Sequence, residues 1–384
     1  AGEGSGAYEL VATIPGFGDP IGVAVNPSGT LVYVSDYRAG TVRVIDTATD
    51  TVIDTISGVG GPYGLTVSPD GSRLYVVDRS GGSVSVVDTA TNAVIAAVPG
   101  FVDPWNIALT PDGRRAYVVD SAANTVSVLD TVTDSIVFTV GGFSRPQFVA
   151  VTPDGGSVYI SNYWSGDVSV IDTATNAVIA AIPASTPQGL AVTPDGSRVY
   201  VADSDGTVEV IDTATNSIVV TIADMPRATG LAINADGSLV FVTLAGEGRV
   251  VIIDIATNAI IAGVPGFNYV PYGIAVSPGG VVYVATNYGY IDGQLSPFVG
   301  VIGKAGGPPG GRGGAGGAGG GAQAVDGNGG DGGAGGDGLW LNGDGGDGGD
   351  GGNGGVLGAG GFGGLGGMAG TGGTPGVDGA NGAP

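Results

Sequence analysis

The chain has 384 residues, 79 of them glycine, and 12 basic against 35 acidic side chains give a formal net charge of −23; it contains no histidine and no cysteine. These counts exclude Ser–His–Asp and Cys–His triads, zinc sites of the usual N/S type and the common haem ligand sets. Lys304 is the single lysine, which leaves P-loop and Schiff-base chemistry almost without material, and the acidity repels phosphate backbones and argues against a nucleic-acid partner.

In chain order, Tyr8–Ile14 (YELVATI) reads as a lone strand, and after it one unit repeats to about residue 302. The string Val-Ile-Asp-Thr-Ala-Thr recurs with aspartates at Asp46, Asp88, Asp130, Asp172, Asp212 and Asp254, spaced 42, 42, 42, 40 and 42. A second landmark, Pro-x-Gly-apolar-Ala-apolar, starts at Pro20, Pro62, Pro104, Pro146, Pro187 and Pro271, and the degenerate Ala228–Ile233 fills the gap. In the copy over 62–98, Gly64–Ser68, Arg73–Asp78, Ser83–Val87 and Ala93–Val98 read as short strands. They are divided by a Pro-Asp-Gly turn, a Gly-rich loop and an Asp-Thr turn. Four antiparallel strands in about 42 residues make one propeller blade.

The seventh copy supplies strands near Ile274–Ser277, Val281–Ala285 and Phe298–Ile302 and then lacks its fourth. The orphan Tyr8–Ile14 completes it, which removes exposed strand edges. The expectation is an all-β, seven-bladed β-propeller with 3+1 closure over 1–303. A glycine-rich segment follows over 304–384, since 42 of the 79 glycines fall in 303–384. No apolar run approaches the roughly 20 residues of a membrane span. The chain begins at Ala1 without a methionine, so an upstream signal peptide or domain is left open.

The second strands read Tyr33-Val-Ser-Asp36, Tyr75-Val-Val-Asp78, Tyr117-Val-Val-Asp120, Tyr159-Ile-Ser-Asn162 and Tyr200-Val-Ala-Asp203. Phe241-Val-Thr-Leu244 and Tyr283-Val-Ala-Thr286 are weaker copies. With the Ser-Pro-Asp-Gly and Asp-Thr-Ala-Thr-Asn turns, residues 8–302 resemble the YVTN-type β-propeller family. That resemblance implies a surface-layer or exported protein. Related propellers include lactonases, streptogramin lyases and haem reductases; the last two rely on histidine, so the expectation here is no cofactor, with calcium the one metal left open by the carboxylates.

Eleven acids belong to the two repeated turn rows, which include Asp70, Asp112, Asp154, Asp195 and Asp236, and are read as turn chemistry. The opposite face, built from the fourth-to-first and second-to-third strand loops, varies from copy to copy. The residue after each landmark proline is expected at the channel mouth: Ile21, Tyr63, Trp105, Gln147, Gln188, Thr229 and Tyr272. Loops of the same face add Tyr37, Arg38, Arg79, Tyr163, Trp164, Tyr288 and Tyr290, with Arg145 and Arg227 from the loops before the first strands. Rings mixed with Gln and Arg suit a glycan, a peptide or a protein partner; the competing reading is that the aromatics plug the channel. Asp36, Asp78, Asp120, Asn162 and Asp203 end their strands on this face, as strand-end caps or as ligands of a cation.

From Gly306 the pattern is Gly-Gly-x, with Asp344, Asp347, Asp350 and Asn353 three apart. Motifs such as Gly-Gly-Ala-Gly-Gly-Asp-Gly-Leu-Trp (332–340) resemble the glycine-rich repeat domain of mycobacterial PE-PGRS proteins, without that family's PE domain. The resemblance implies cell-envelope association and packed polyglycine helices; a flexible tail is the alternative. Residues 332–340 also fit one copy of a calcium-binding nonapeptide. The expected function is a non-enzymatic secreted or cell-surface binding protein. The alternatives are a carboxylate- and metal-dependent hydrolase or lactonase, and a structural spacer or antigenic surface.

Overall fold

The computed structural model describes residues 7–267, 270–287, 290–291, 294–295 and 297–304. The glycine-rich segment, with its PE-PGRS-like motif and its nonapeptide, lies outside the described residues, as does Tyr288. Ala1–Asp46 and Asp50–Ala305 make one compact unit; of the second, Thr47–Thr49 and Gly306–Pro384, only the three turn residues are described.

Every described regular element is a strand. In the copy read above, Pro62–Val67, Arg73–Asp78, Ser83–Asp88 and Ala93–Pro99 hydrogen-bond in that order into one antiparallel sheet. Five other sheets repeat it, and their innermost strands are Pro20–Val25, Pro104–Leu109, Pro146–Val151, Pro187–Val192 and Ala228–Ile233. The last sheet runs Val270–Val276, Val282–Asn287, Phe298–Lys304 and then Tyr8–Ile14. Its closing pair aligns Tyr8 with Lys304 and Ile14 with Val299 around a bulge between Leu10 and Ala12. Pro20–Val25 packs against Val270–Val276, so the seven sheets close into a ring. The protein is a seven-bladed propeller with 3+1 closure. Strand ends shift by one to four residues from the sequence reading, and a two-residue hairpin, Tyr290–Ile291 with Gln294–Leu295, was not anticipated.

At four blade boundaries the two motifs are halves of one joint. Tyr33, Tyr75, Tyr117, Tyr159, Tyr200 and Tyr283 are all buried between blades. Tyr159 Oη donates to Asn216 Oδ1 of the next blade at 2.7 Å, Tyr200 to Asn258 at 2.8 Å and Tyr117 to Asn176 at 3.4 Å, and Tyr283 reaches Asp50 across the closure. Those turn residues sit at positive φ, between 49° and 55° for the asparagines and at 51° for Asp50, a conformation Asn and Asp tolerate. Burial raises the phenols of Tyr33, Tyr75, Tyr117, Tyr159 and Tyr200, that of Tyr159 to about 12.

The turn aspartates accept from their own turns. Asp88 Oδ1 takes the backbone N–H and the hydroxyl of Thr91 at 2.9 and 2.8 Å, and Asp70 takes the Ser68 and Ser72 hydroxyls. These bonds hold the Asp88 carboxyl below its usual range and the Asp70 carboxyl at about 2.

Glu209 breaks this economy. Its place in the third strand is filled by Ser85, Ser127 and Ser169 in other blades, and its Oε2 is buried without a partner. Burial, then the neighbouring Asp203 charge, raise its carboxyl from 4.5 to about 7. An acid raised on folding penalises the folded state progressively from pH 4.5 upward, in full above pH 7. Glu209→Gln is therefore expected to raise stability at pH 8 by on the order of 1 kcal/mol, discounted for partial exposure, and to leave it unchanged at pH 4. Thermal melts at the two pH values check this; an equal shift at both contradicts it.

Candidate functional site

The first strands lie closest to the axis because their third position is glycine in five blades. A Cβ on Gly64 would stand 2.6 Å from the Trp105 carbonyl oxygen and 2.7 Å from Asn106 Cα, so neighbouring backbones meet where the side chain is missing. Asn106 and Phe148 replace glycine in the other two and line the channel with Gly22, Gly64, Gly189 and Gly273. The channel cavity measures about 170 Å³.

At its mouth four blades bring rings together. Tyr63 lies 4.9 Å from Trp105, 6.1 Å from Tyr37 and 6.4 Å from Tyr272, centroid to centroid. Tyr63 Oη donates to Tyr272 Oη at 3.3 Å. Burial, and then Tyr272, push the Tyr63 phenol well above its ordinary value, so it stays a neutral donor. The Arg79 guanidinium lies 4.4 Å from the Trp105 ring and 5.1 Å from that of Tyr63. Asp103 orders both partners, accepting from Arg79 Nε at 2.6 Å and from Trp105 Nε1 at 2.9 Å. Burial raises the Asp103 carboxyl, but these two donors outweigh it and hold the group below its usual range.

Sequence reasoning missed Asp103. The signal was there: only two landmark prolines, Pro20 and Pro104, are preceded by aspartate. The other, Asp19, has its carboxyl raised by burial and then by Asp36.

The remaining candidates divide. Of the residues after the landmark prolines, Ile21, Trp105, Gln147, Gln188 and Thr229 are buried. Thr229 is spent on a joint, sharing a hydrogen bond with Thr243 Oγ1 and donating to the Pro271 carbonyl. Gln147 Oε1 has no partner. Arg145 lies 4.9 Å from the Trp164 ring and 5.9 Å from that of Tyr163, a second cation–ring group on blade 4. Arg38 and Arg227 are exposed, and the Arg227 stem lies beside Gly246. Of Tyr290 only the backbone is described.

The strand-end carboxylates act as caps. Asp120 accepts the N–H groups of Val102, Asp103 and Ala123 at 2.6–3.0 Å; Asp36 and Asp203 do the same for the loops preceding their own blades' first strands. Among the described residues no group of three or more acids is placed to hold a metal ion, and no helix is long and apolar enough to cross a membrane.

Residues 69–199, about a third of the chain, match the family model of the cytochrome D1 heme domain. Among solved structures, the fold matches Kuenenia stuttgartiensis hydrazine synthase at TM-score 0.65 and 23% identity, over 74% of this chain and 95% of that one. No curated protein matches. The family match overturns the expectation that the chain takes no cofactor. The group named in that family's description is haem.

Proposed function

We propose that the loop face of the propeller binds a ligand at the channel mouth without chemical turnover, the ligand being a glycan, a peptide or a partner protein. The observation that carries this reading is the Tyr63–Arg79–Trp105 stack. Its arginine is held against two rings by a carboxylate, on a face where each blade differs while the turns of the other face repeat. Tyr, Trp and Arg in such arrangements supply most of the energy at binding surfaces. The YVTN-type motifs and the PE-PGRS-like segment support placing the protein among secreted or cell-envelope proteins of those families.

The haem to which the family match points is a separate reading, and the described residues do not fit it. The sequence has no histidine or cysteine to ligate iron. Met225 is fully buried in a blade core, and the second-strand tyrosines lie buried in the blade-to-blade interfaces. The 170 Å³ channel is smaller than the roughly 300 Å³ at which ligand pockets begin. No step is routed through haem.

Glycan and peptide arrays probed with the purified chain test the binding reading. A hit should weaken at least about tenfold in Tyr63→Ala and in Arg79→Gln, with circular dichroism unchanged. Hits that bind both variants like the parent remove the mouth from the proposal.

A further inference from the structure

The blade-4 group differs from the mouth in being open. Trp164 is 67% exposed, so one face of its indole is free while the Arg145 guanidinium lies by the ring. The group is nonetheless held in place. Arg145 sits at φ 52°, its N–H donates to Asn124 Oδ1 at 2.7 Å, and the backbones of Tyr163 and Trp164 donate to the carbonyls of Arg145 and Ser144. Among the described residues no carboxylate lies within ion-pair distance of Arg145, whereas Arg79 at the mouth has Asp103. A built platform therefore offers a flat apolar ring beside a guanidinium that no described carboxylate holds at contact distance, although its charge helps to lower the Asp103 carboxyl.

Its ligand must satisfy both. The guanidinium calls for a carboxylate, which it can hold by two parallel hydrogen bonds. The indole calls for a flat ring with an apolar face. The guanidinium lies 4.9 Å from the indole ring and Trp164 stands out at the surface, so one compact ligand can engage both groups. We infer that Arg145, Tyr163 and Trp164 form a subsite for an acidic sugar, a uronate whose pyranose ring stacks on Trp164 while its carboxylate pairs with Arg145. The inference rests on the reading of this face as a binding one and adds a position and a ligand class to it.

Isothermal titration of the full chain with methyl glucuronide, methyl glucoside and propionate tests it. The glucuronide should bind at least about tenfold more tightly than either comparator, because only it engages both groups. Its affinity should fall by a similar factor in Arg145→Gln and in Trp164→Ala, and should persist in Tyr63→Ala. Equal affinity for glucoside, or for propionate, overturns the subsite, as does glucuronide binding unchanged in Arg145→Gln and Trp164→Ala. Tighter binding of a short acidic peptide than of the glucuronide, dependent on the same two residues, also overturns the sugar. Loss in Tyr63→Ala alone moves the ligand to the mouth and overturns the subsite while sparing the mouth reading. Both substitutions are on exposed or half-exposed side chains, and unchanged melting curves confirm that the variants fold.

Discussion

Asp120→Ala is expected to cost about 3 kcal/mol and to lower Tm by roughly 5 °C, measured by calorimetry. The carboxylate is only 2% exposed and satisfies three backbone N–H groups, two of them in the loop that enters blade 3. Alanine removes the shared acceptor of three partly buried N–H groups at once, which costs more than the bonds contribute when made. Asp120→Asn should cost less, because Asn162 stands at the same place in blade 4. There it accepts one N–H at 3.5 Å and turns its amide toward Asp167 and Ser169. The loop that Asp120 fixes carries Asp103, so the alanine variant should also loosen the hold on Arg79 and weaken a mouth ligand. A melting point within about a degree of the parent would refute the cap's role.

Gly64→Ala is expected to destabilise the ring by about 2–3 kcal/mol, although it adds one methyl group. That methyl would meet backbone of the next blade, which cannot rotate away as a side chain can. Gly230 and Gly273 are placed in the same way against Tyr272 and Ile21 and should respond alike. Gly141→Ala is the control: nothing lies within 4 Å of its added carbon, so its melting point should stay within about 0.5 kcal/mol equivalent. Urea unfolding of the pair separates a packing effect from a general glycine effect, and equal losses would contradict the close approach.

The blade count and the closure were legible because Tyr, Asn and Asp recur at blade period, and that period is a physical joint: Tyr159 reaches Asn216, and Tyr200 reaches Asn258. The site was legible only in part. Tyr63, Arg79, Trp105 and Tyr272 meet, yet Thr229 at the equivalent position is spent on Thr243 of its own blade and on the Pro271 carbonyl of the next. A shared strand position sets where a Cβ starts, not what the side chain meets. Asp103 escaped notice because aspartate is common throughout the chain as a turn residue, and its role depends on two partners from different blades.

The pairing of Tyr8–Ile14 with Phe298–Lys304 has a consequence in time. The propeller strand that is synthesised first finds its partner only after nearly the whole propeller has been made. At about 5–20 residues per second, that leaves it waiting roughly 15–60 seconds. Each blade can zip from neighbouring hairpins as it emerges, but the seam must join ends almost 290 residues apart, and such distant pairing is the slow step of folding. During that interval Leu10 and Ile14 are exposed on an open edge, which makes the nascent chain's interval before closure its most aggregation-prone.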